Sequence, residues 1–111
     1  MKSTLVNHSQ IVEFRGHQFL FCEAGLRLFN SFKWRVFANK SGHVYLQRSV
    51  YAGKKNGRST YKTVRLHREL LGLSDGDKRV SDHINGNTLD NRLENLRAVS
   101  PSANTSNRRL R

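Results

Sequence analysis

The spacing of apolar and polar residues predicts a chain built mainly from short strands. Strand-like patterns recur in five segments of the N-terminal part, namely residues 10–15, 17–22, 33–39, 43–50 and 61–66. Tight turns at Arg15-Gly16 and Lys40-Ser41-Gly42 join four of these segments into two hairpins. Residues 52–60, rich in glycine, lysine and asparagine, predict an exposed loop, whereas the pattern of residues 25–32 is ambiguous.

Leucines at helical spacing mark the next part of the chain. A short amphipathic helix is predicted over residues 67–73, and Gly72 suits its end. Ser100 and Pro101 suit the N-cap and first position of a last helix, which runs through residue 104 toward 109. Between the two helices, the pattern predicts a strand at 78–84, a turn at 85–87, a helical turn within 89–96 and a strand at 97–100.

These elements predict an α+β protein. A small, mainly antiparallel N-terminal sheet is followed by a strand–strand–helix unit. We expect Trp34, Phe37 and Tyr45 in the core of the sheet, and stacking on nucleic-acid bases is the alternative role for them. We place the boundary between a basic β-rich region at 1–73 and a C-terminal unit at 74–111. With 111 residues, both are expected to belong to one compact domain.

Basic residues are concentrated in one part of the chain. There are 20 Lys and Arg against 8 Asp and Glu, which gives a formal net charge of +12. Residues 24–68 hold 11 Lys or Arg and no acid, whereas six of the eight acids lie between Glu69 and Glu94. A stretch with only positive charges, interleaved with aromatic residues, favours a surface that binds phosphates. An ordinary solvent-exposed basic surface is the alternative.

Other compositional features exclude several classes of protein. No apolar run approaches the roughly 20 residues that a membrane span needs, and no apolar signal segment follows the first residues. A single cysteine, Cys22, excludes an internal disulfide and a multi-cysteine zinc site. We therefore expect a soluble intracellular protein with a polyanionic partner and no membrane contact.

Asp82 and His83 are the residues best suited to carry chemistry. A carboxylate is a hard oxygen ligand and a histidine is a base near neutral pH. If the strands at 78–84 and 97–100 pair antiparallel, the following helix start brings Asn104 toward them. Carboxylate and amide oxygens suit Mg²⁺ or Mn²⁺, beside which a histidine can take a proton from water. Because adjacent strand residues point to opposite faces, both serve one site only if the strand ends, twists or bulges there.

The C-terminal stretch resembles the HNH nuclease family, in the variant typical of phage and intron-associated homing endonucleases. The resemblance rests on Asp-His-Ile-Asn-Gly-Asn at 82–87, Asp-Asn-Arg-Leu-Glu-Asn-Leu-Arg at 90–97 and Ser-Ala-Asn-Thr at 102–105. Upstream, Val-Arg-Leu-His-Arg-Glu-Leu-Leu at 64–71 resembles the segment that precedes the family's finger. The resemblance implies that residues 74–111 fold as a ββα-metal finger.

The resemblance also implies roles for individual residues. Asp82 matches the family's metal-binding acid, His83 its general base, and Asn95 the middle asparagine, which braces the loop and is counted with the catalytic residues. Asn104 matches the third position and would hold the cation together with Asp82. Arg108 stands where bacterial toxin members have a further histidine, so Mg²⁺ or Mn²⁺ with two protein ligands is implied, and no structural zinc is expected.

The implied partner is double-stranded DNA. Basic side chains are candidates for contacts with its phosphates, and the candidates are Arg48, Lys54, Lys55, Arg58, Lys62, Arg68, Arg92 and Arg108. Arg92 could instead form an ion pair with Asp90 or Glu94. His67 is expected to pack or to cap the short helix.

The sequence thus predicts a metal-dependent HNH endonuclease that hydrolyses DNA phosphodiester bonds. The resemblance implies a phage or mobile-element protein that acts in the cytoplasm of a bacterial host. One finger cuts one strand, so we expect nicking by a monomer or a weak homodimer. Two alternatives stay open: a DNA-binding module without activity, and a basic RNA-binding protein of ribosomal type.

Overall fold

The computed structural model describes residues 9–74 and 76–102, and its fold is α+β, as predicted. Short strands alternate with two helices and one 3₁₀ turn. In chain order the elements are β1 (Gln10–Phe14), β2 (His17–Phe21), α1 (Glu23–Ser31), β3 (Arg35–Ala38), β4 (Val44–Lys55), β5 (Arg58–Arg65), α2 (Leu66–Leu70), β6 (Val80–His83), β7 (Asp90–Asn91), the 3₁₀ turn (Leu93–Asn95) and β8 (Leu96–Val99).

The described strands form three small sheets. The order β3-β4-β5 is antiparallel throughout, and β6 pairs antiparallel with β8. The third sheet has the order β1-β2-β7, in which β1 and β2 are antiparallel but β7 is parallel to β2. The predicted N-terminal strands therefore divide between two sheets. Because β7 comes from the C-terminal unit, backbone hydrogen bonds run across the predicted boundary at 73/74.

The core lies where α1 and α2 pack between the two three-stranded sheets. Its buried members are Phe19, Phe21, Trp34, Val44, Leu46 and Leu66. Gly25 of α1 approaches β7 so closely that a Cβ would lie 3.2 Å from the Asn91 carbonyl oxygen. This close contact fixes β7 against α1 and thereby positions Asn91.

Trp34 is buried, as predicted for the core, but the same prediction is wrong for Phe37, which is 38% exposed. Phe37 pairs with Tyr45 across β3 and β4, and Tyr45 is only half-buried. Successive strand residues point to opposite faces, and Val36 occupies the inner face of β3. Phe37 therefore faces outward.

The predicted exposed loop at 52–60 is also wrong, because most of it is strand. β4 continues to Lys55 and β5 begins at Arg58, with a register irregularity between Tyr51 and Lys54. Only Asn56 and Gly57 form the turn, with φ of 53° and 78°. Two residues with positive φ are what a type I′ hairpin turn requires, and Asn-Gly is its preferred sequence.

Three further differences concern short segments. Residues 25–32, whose pattern is ambiguous, lie mostly in α1. The predicted helical turn within 89–96 is β7 followed by the 3₁₀ turn. Helical conformation begins at Pro101, as expected, but Asn104 and Arg108 lie outside the described residues. Neither described helix is long and apolar enough to cross a membrane.

Candidate active site

The β6–β8 hairpin brings Asp82 and His83 to one cavity. Asp82 pairs with Arg97 and His83 with Leu96 in the strand register. β6 ends at His83, and both side chains line a cavity of about 500 Å³ together with Tyr45 and His67. Adjacent side chains inside a regular strand point to opposite faces. Because β6 ends at His83, the neighbouring side chains of Asp82 and His83 can both reach one site.

The orientation of His83 is set by Asn91. His83 is 5% exposed, and its Nε2 lies 3.1 Å from Asn91 Oδ1. A carbonyl oxygen only accepts hydrogen bonds, so Nε2 carries the proton and Nδ1 carries the lone pair. Burial lowers the pKa of His83, while the Asn91 hydrogen bond and the carboxylates of Asp82 and Asp90 raise it. The result is an imidazole that is neutral at pH 7, as a general base must be.

Asp82 presents a buried carboxylate. It is 6% exposed, and its Oδ2 accepts hydrogen bonds from Arg97 Nε at 3.1 Å and lies 3.0 Å from Arg97 Nη2. The Arg97 side chain is 39% exposed, so the guanidinium sits at the solvent side of the pair. The carboxylate of Asp82 is a hard oxygen ligand. Its negative charge is balanced by the Arg97 guanidinium.

The second predicted cation ligand, Asn104, lies outside the described residues. Within residues 9–74 and 76–102 there is no group of three or more His, Cys, Asp and Glu that could hold a metal ion. Two carboxylates line the described part of the cavity, those of Asp82 and Asp77, and the carboxylate of Asp77 is held by Arg79. Hard divalent cations prefer oxygen ligands, so the carboxylate of Asp82 fits a divalent metal ion.

Asn95 ties together the two ends of the loop between β6 and β8. Its Oδ1 accepts from the Asn85 backbone N–H at 3.0 Å, and its Nδ2 donates to Asn85 Oδ1 and to the Asp90 carbonyl, each at 3.0 Å. Its own carbonyl accepts from Ile84 N–H at 2.8 Å. These are the contacts expected of a loop brace, while a catalytic contribution of Asn95 stays a prediction.

Asp90 anchors the same loop and engages Arg92. Two bonds of 2.8 Å run from Arg92 Nε and Nη2 to the carboxylate, and Asn85 Nδ2 donates to it at 3.1 Å. These bonds, those from Arg92 first, lower the pKa of Asp90. Arg92 also lies 3.3 Å from Glu94. The ion pair that was left open for Arg92 is therefore present, and a DNA contact by it stays a prediction.

His67 lines the same cavity, although only packing or helix capping was expected of it. It is 6% exposed, its ring centroid is 5.1 Å from that of His83, and its Nδ1 is hydrogen-bonded to Ser81 Oγ. Its Nε2 is buried without a hydrogen-bond partner in the described part of the chain. Burial first, and then the charges of His83, Arg65 and Arg68, lowers its pKa to about 3. A neutral imidazole therefore packs directly against the ring of His83.

Two predicted DNA contacts are held by intramolecular bonds. Arg48 forms a two-pronged pair with Glu69, with Nη2 2.9 Å from Oε2, and its guanidinium stacks 3.6 Å over the Phe32 ring. Arg68 donates to the carbonyls of Ser74, Asp77 and Arg79. Both side chains stabilise the packing around α2, and their contacts with DNA stay predictions.

The other described candidates are exposed on the β4–β5 hairpin. Lys54 and Lys55 end β4, Arg58 begins β5, and Lys62 lies further along β5. Their place is consistent with a contact surface, and their roles also stay predictions.

Residues 74–106 match a family model described as HNH endonuclease. The chain carries an HNH endonuclease motif. The matched segment contains β6, the braced loop, β7 and β8, and it confirms the family resemblance. HNH endonucleases cleave nucleic acids and generally use divalent metal ions, so the motif indicates a nuclease with a nucleic-acid substrate. Neither a curated protein nor a solved structure matches the chain.

The HNH motif covers less than a third of the chain and leaves part of the cavity outside it. Tyr45 and His67 line the cavity from β4 and α2, upstream of the motif. Sequence reasoning also missed Asn91 and Arg97, which hold His83 and Asp82. The spacing of Arg97 from Asp82 in a predicted antiparallel pair is the one signal that could have indicated their contact.

Proposed function

We propose that this protein is a metal-dependent DNA endonuclease that hydrolyses phosphodiester bonds, with His83 as its general base. One observation carries the proposal: His83 and Asp82 line the same cavity, and Asn91 holds His83 in the tautomer whose basic nitrogen is Nδ1. A neutral, oriented imidazole beside a buried carboxylate is the arrangement that hydrolysis by an activated water requires.

His83 would take a proton from the attacking water at Nδ1 while Nε2–H stays bonded to Asn91. The imidazolium that forms is stabilised by the nearby carboxylates of Asp82 and Asp90, which favour its charged form. Asn95 keeps the loop in shape and thereby keeps Asn91 and His83 at their distance. These residues perform the proton transfer and the positioning.

Asp82 and Asn104 would hold the divalent cation, Mg²⁺ or Mn²⁺. When bound, such an ion draws in the scissile phosphate and offsets charge on the phosphate and leaving oxygen. The buried carboxylate of Asp82 supports this assignment because hard cations prefer oxygen ligands.

The proposed substrate is double-stranded DNA, and the net charge of +12 supports a polyanionic partner. A single motif has a single base, so a monomer or weak homodimer is expected to nick one strand. The resemblance to phage and intron-associated homing endonucleases supports a phage or mobile-element origin and action in a bacterial cytoplasm.

A plasmid-nicking assay tests the function. Supercoiled plasmid incubated with the protein and Mg²⁺ or Mn²⁺ should convert to the open circle. His83→Ala should slow nicking by about a hundredfold or more, the usual share of a general base, while duplex affinity stays within about twofold. His17→Ala, in β2, is the matched control and should nick at the wild-type rate.

The same assay separates the alternatives. Duplex binding without nicking, across a series of divalent ions, would identify a DNA-binding module without activity. Preferential binding of structured RNA over duplex DNA would identify the RNA-binding alternative. Nicking by His83→Ala at the wild-type rate would reject His83 as the base.

A further inference from the structure

The β3-β4-β5 sheet has two chemically different faces. Successive strand residues alternate between faces, and the register places opposite residues of neighbouring strands on the same face. The inner face carries Val36, Val44, Leu46, Arg48, Val50, Lys62 and Val64. The outer face, which we call the tyrosine face, carries Arg35, Phe37, Tyr45, Gln47, Ser49, Tyr51, Tyr61, Thr63 and Arg65.

The tyrosine face is exposed and rich in aromatic side chains. Tyr51 and Tyr61 are 55% and 65% exposed, and they pair across β4 and β5 with ring centroids 5.8 Å apart. Phe37 is 38% exposed on the neighbouring strand. Large exposed aromatics grouped on one face mark an interaction surface rather than a solvated one.

The charge of this face is entirely positive. Arg35 and Arg65 lie on it, Lys54, Lys55 and Arg58 lie beyond it at the hairpin turn, and residues 24–68 contain no acid. On the inner face, by contrast, Arg48 is neutralised by Glu69. The two faces of one ribbon therefore differ in the charge that they offer to a polyanion: Arg48 is paired with Glu69, whereas within residues 9–74 and 76–102 no carboxylate forms a salt bridge with Arg35 or Arg65.

The tyrosine face leads directly into the cavity. Tyr45 and Arg65 belong to both, since they line the cavity that contains His83. The ring centroid of Tyr45 lies 6.4 Å from that of His83, and the Arg65 guanidinium stacks 4.7 Å over the Tyr45 ring. Aromatic and cationic groups thus lie at both ends of the tyrosine face, near the hairpin turn and next to the base.

The length of this surface can be compared with duplex DNA. Tyr51 follows Tyr45 by six residues, which in a strand is about 20 Å. Phosphates along one DNA strand repeat every ~3.4 Å of axis, so the distance corresponds to about six base pairs.

We propose that duplex DNA lies along the tyrosine face, on one side of the cut, with Arg65 at a phosphate near the cavity and the Tyr51–Tyr61 pair about six base pairs from Tyr45 at the cavity. The proposal rests on the proposed function for the position of the cut. It also differs from the contacts predicted at Arg48 and Lys62, which belong to the inner face.

Binding is tested without cleavage, with a labelled duplex in EDTA and anisotropy as the readout. Thr63→Glu places a negative charge on the tyrosine face and should weaken binding by about tenfold, because it repels phosphates. Gln18→Glu, an exposed position in β2, makes the same charge change and should stay within about twofold. Arg65→Gln should reduce the slope of log affinity against log salt by about one.

The tyrosines give an independent readout. Tyr51→Ala with Tyr61→Ala should weaken binding by about tenfold while leaving the salt slope unchanged, because no phosphate contact is lost. A hydroxyl-radical footprint should extend about six base pairs to one side of the bound cavity and should shorten in this double variant. Equal effects of Thr63→Glu and Gln18→Glu, or an unchanged footprint, would overturn the proposal, as would tighter binding of structured RNA than of duplex DNA.

The outcomes keep this inference separate from the nuclease assignment. Loss of binding by Thr63→Glu in a protein that nicks no plasmid would support the surface and reject the nuclease. Nicking by a protein whose tyrosine-face variants bind normally would support the nuclease and reject the surface.

Discussion

The side-chain oxygen of Asn91 lies 3.1 Å from Nε2 of His83 and thereby decides which nitrogen of the ring is basic. Asn91 is 3% exposed and is fixed between β2, with which it pairs, and Gly25 of α1. The orientation of the proposed base therefore depends on an element that the N-terminal sheet holds in place. The nuclease motif and the upstream region are in this sense one structure.

Asn91→Leu removes the accepting oxygen with little change in volume, so His83 should lose its fixed tautomer. We expect nicking to fall about 10- to 100-fold, as for other residues that orient a reacting ligand. Asn91→Asp keeps an oxygen that accepts the hydrogen bond from Nε2, so this variant should retain most of the wild-type nicking activity. Nitrogen NMR of the labelled imidazole should show the proton on Nε2 in the wild type and in Asn91→Asp, and mixed tautomers in Asn91→Leu. A single unchanged tautomer in all three proteins would contradict the assignment.

Arg97 holds the Asp82 carboxylate that is proposed to bind the cation, so the two are expected to compete for it. Arg97→Gln removes the guanidinium from Oδ2, so Mg²⁺ or Mn²⁺ should bind more tightly, by about fivefold, which corresponds to ~1 kcal/mol for an ion pair whose arginine lies at the solvent side. Isothermal titration calorimetry measures the affinity without DNA. Arg27→Gln, which breaks an exposed pair with Glu23 in α1, is the control and should not change it. Weaker cation binding by Arg97→Gln would show that Arg97 supports the site instead of competing for it.

Asn95→Ala should destabilise the protein by about 2–3 kcal/mol, because three hydrogen bonds are lost and the buried carbonyl of Asp90 loses its donor. Asn87→Ala, in the same loop, removes one exposed bond to Leu89 N–H and should change stability by less than about 1 kcal/mol. Urea unfolding of both variants measures the difference. Equal losses would mean that the loop needs no brace at Asn95.

The sequence predicted the elements whose signals are local. Hairpins at residues 10–22 and 33–50, the helix after residue 66 and the strand before Asn85 all follow from turn residues and alternation. The 52–60 segment also carried a local signal, since Asn56-Gly57 is a two-residue hairpin turn. The strands in this segment were nevertheless missed. Neither strand end packs on the core there, so lysines and glycines stand in place of alternating apolar residues.

Contacts between distant segments could not be predicted. Glu69 pairs with Arg48 from 21 residues away, and β7 joins β2 in a parallel pair that no local pattern indicates. His67 reaches the ring of His83 only because α2 packs against β6. The motif indicated Asp82, His83 and Asn95, whereas their partners Arg97, Asn91 and His67 depend on the tertiary arrangement.

The buried, neutral His67 makes stability depend on pH in a definite direction. Its pKa is about 3 in the folded protein, mainly because of burial, against 6.5 when unfolded. Below pH 6.5 the unfolded chain binds a proton that the folded protein does not, so the free energy of unfolding falls as the pH falls. The loss is about 1.4 kcal/mol per pH unit, or ~2 kcal/mol between pH 6.5 and 5.

Urea unfolding at pH 7 and pH 5 measures this loss. The lowered pKa of His83 adds to it in the same direction, whereas carboxylates with lowered pKa, such as Asp90, lose their contribution only at lower pH. In His67→Gln, the free energy of unfolding should therefore change less between pH 7 and pH 5, because only the contribution of His83 remains. His17→Gln should show the same change as the wild type. A free energy of unfolding that is equal at pH 7 and pH 5 in the wild type would mean that His67 is protonated in the folded protein, and that the imidazole beside the proposed base carries a charge.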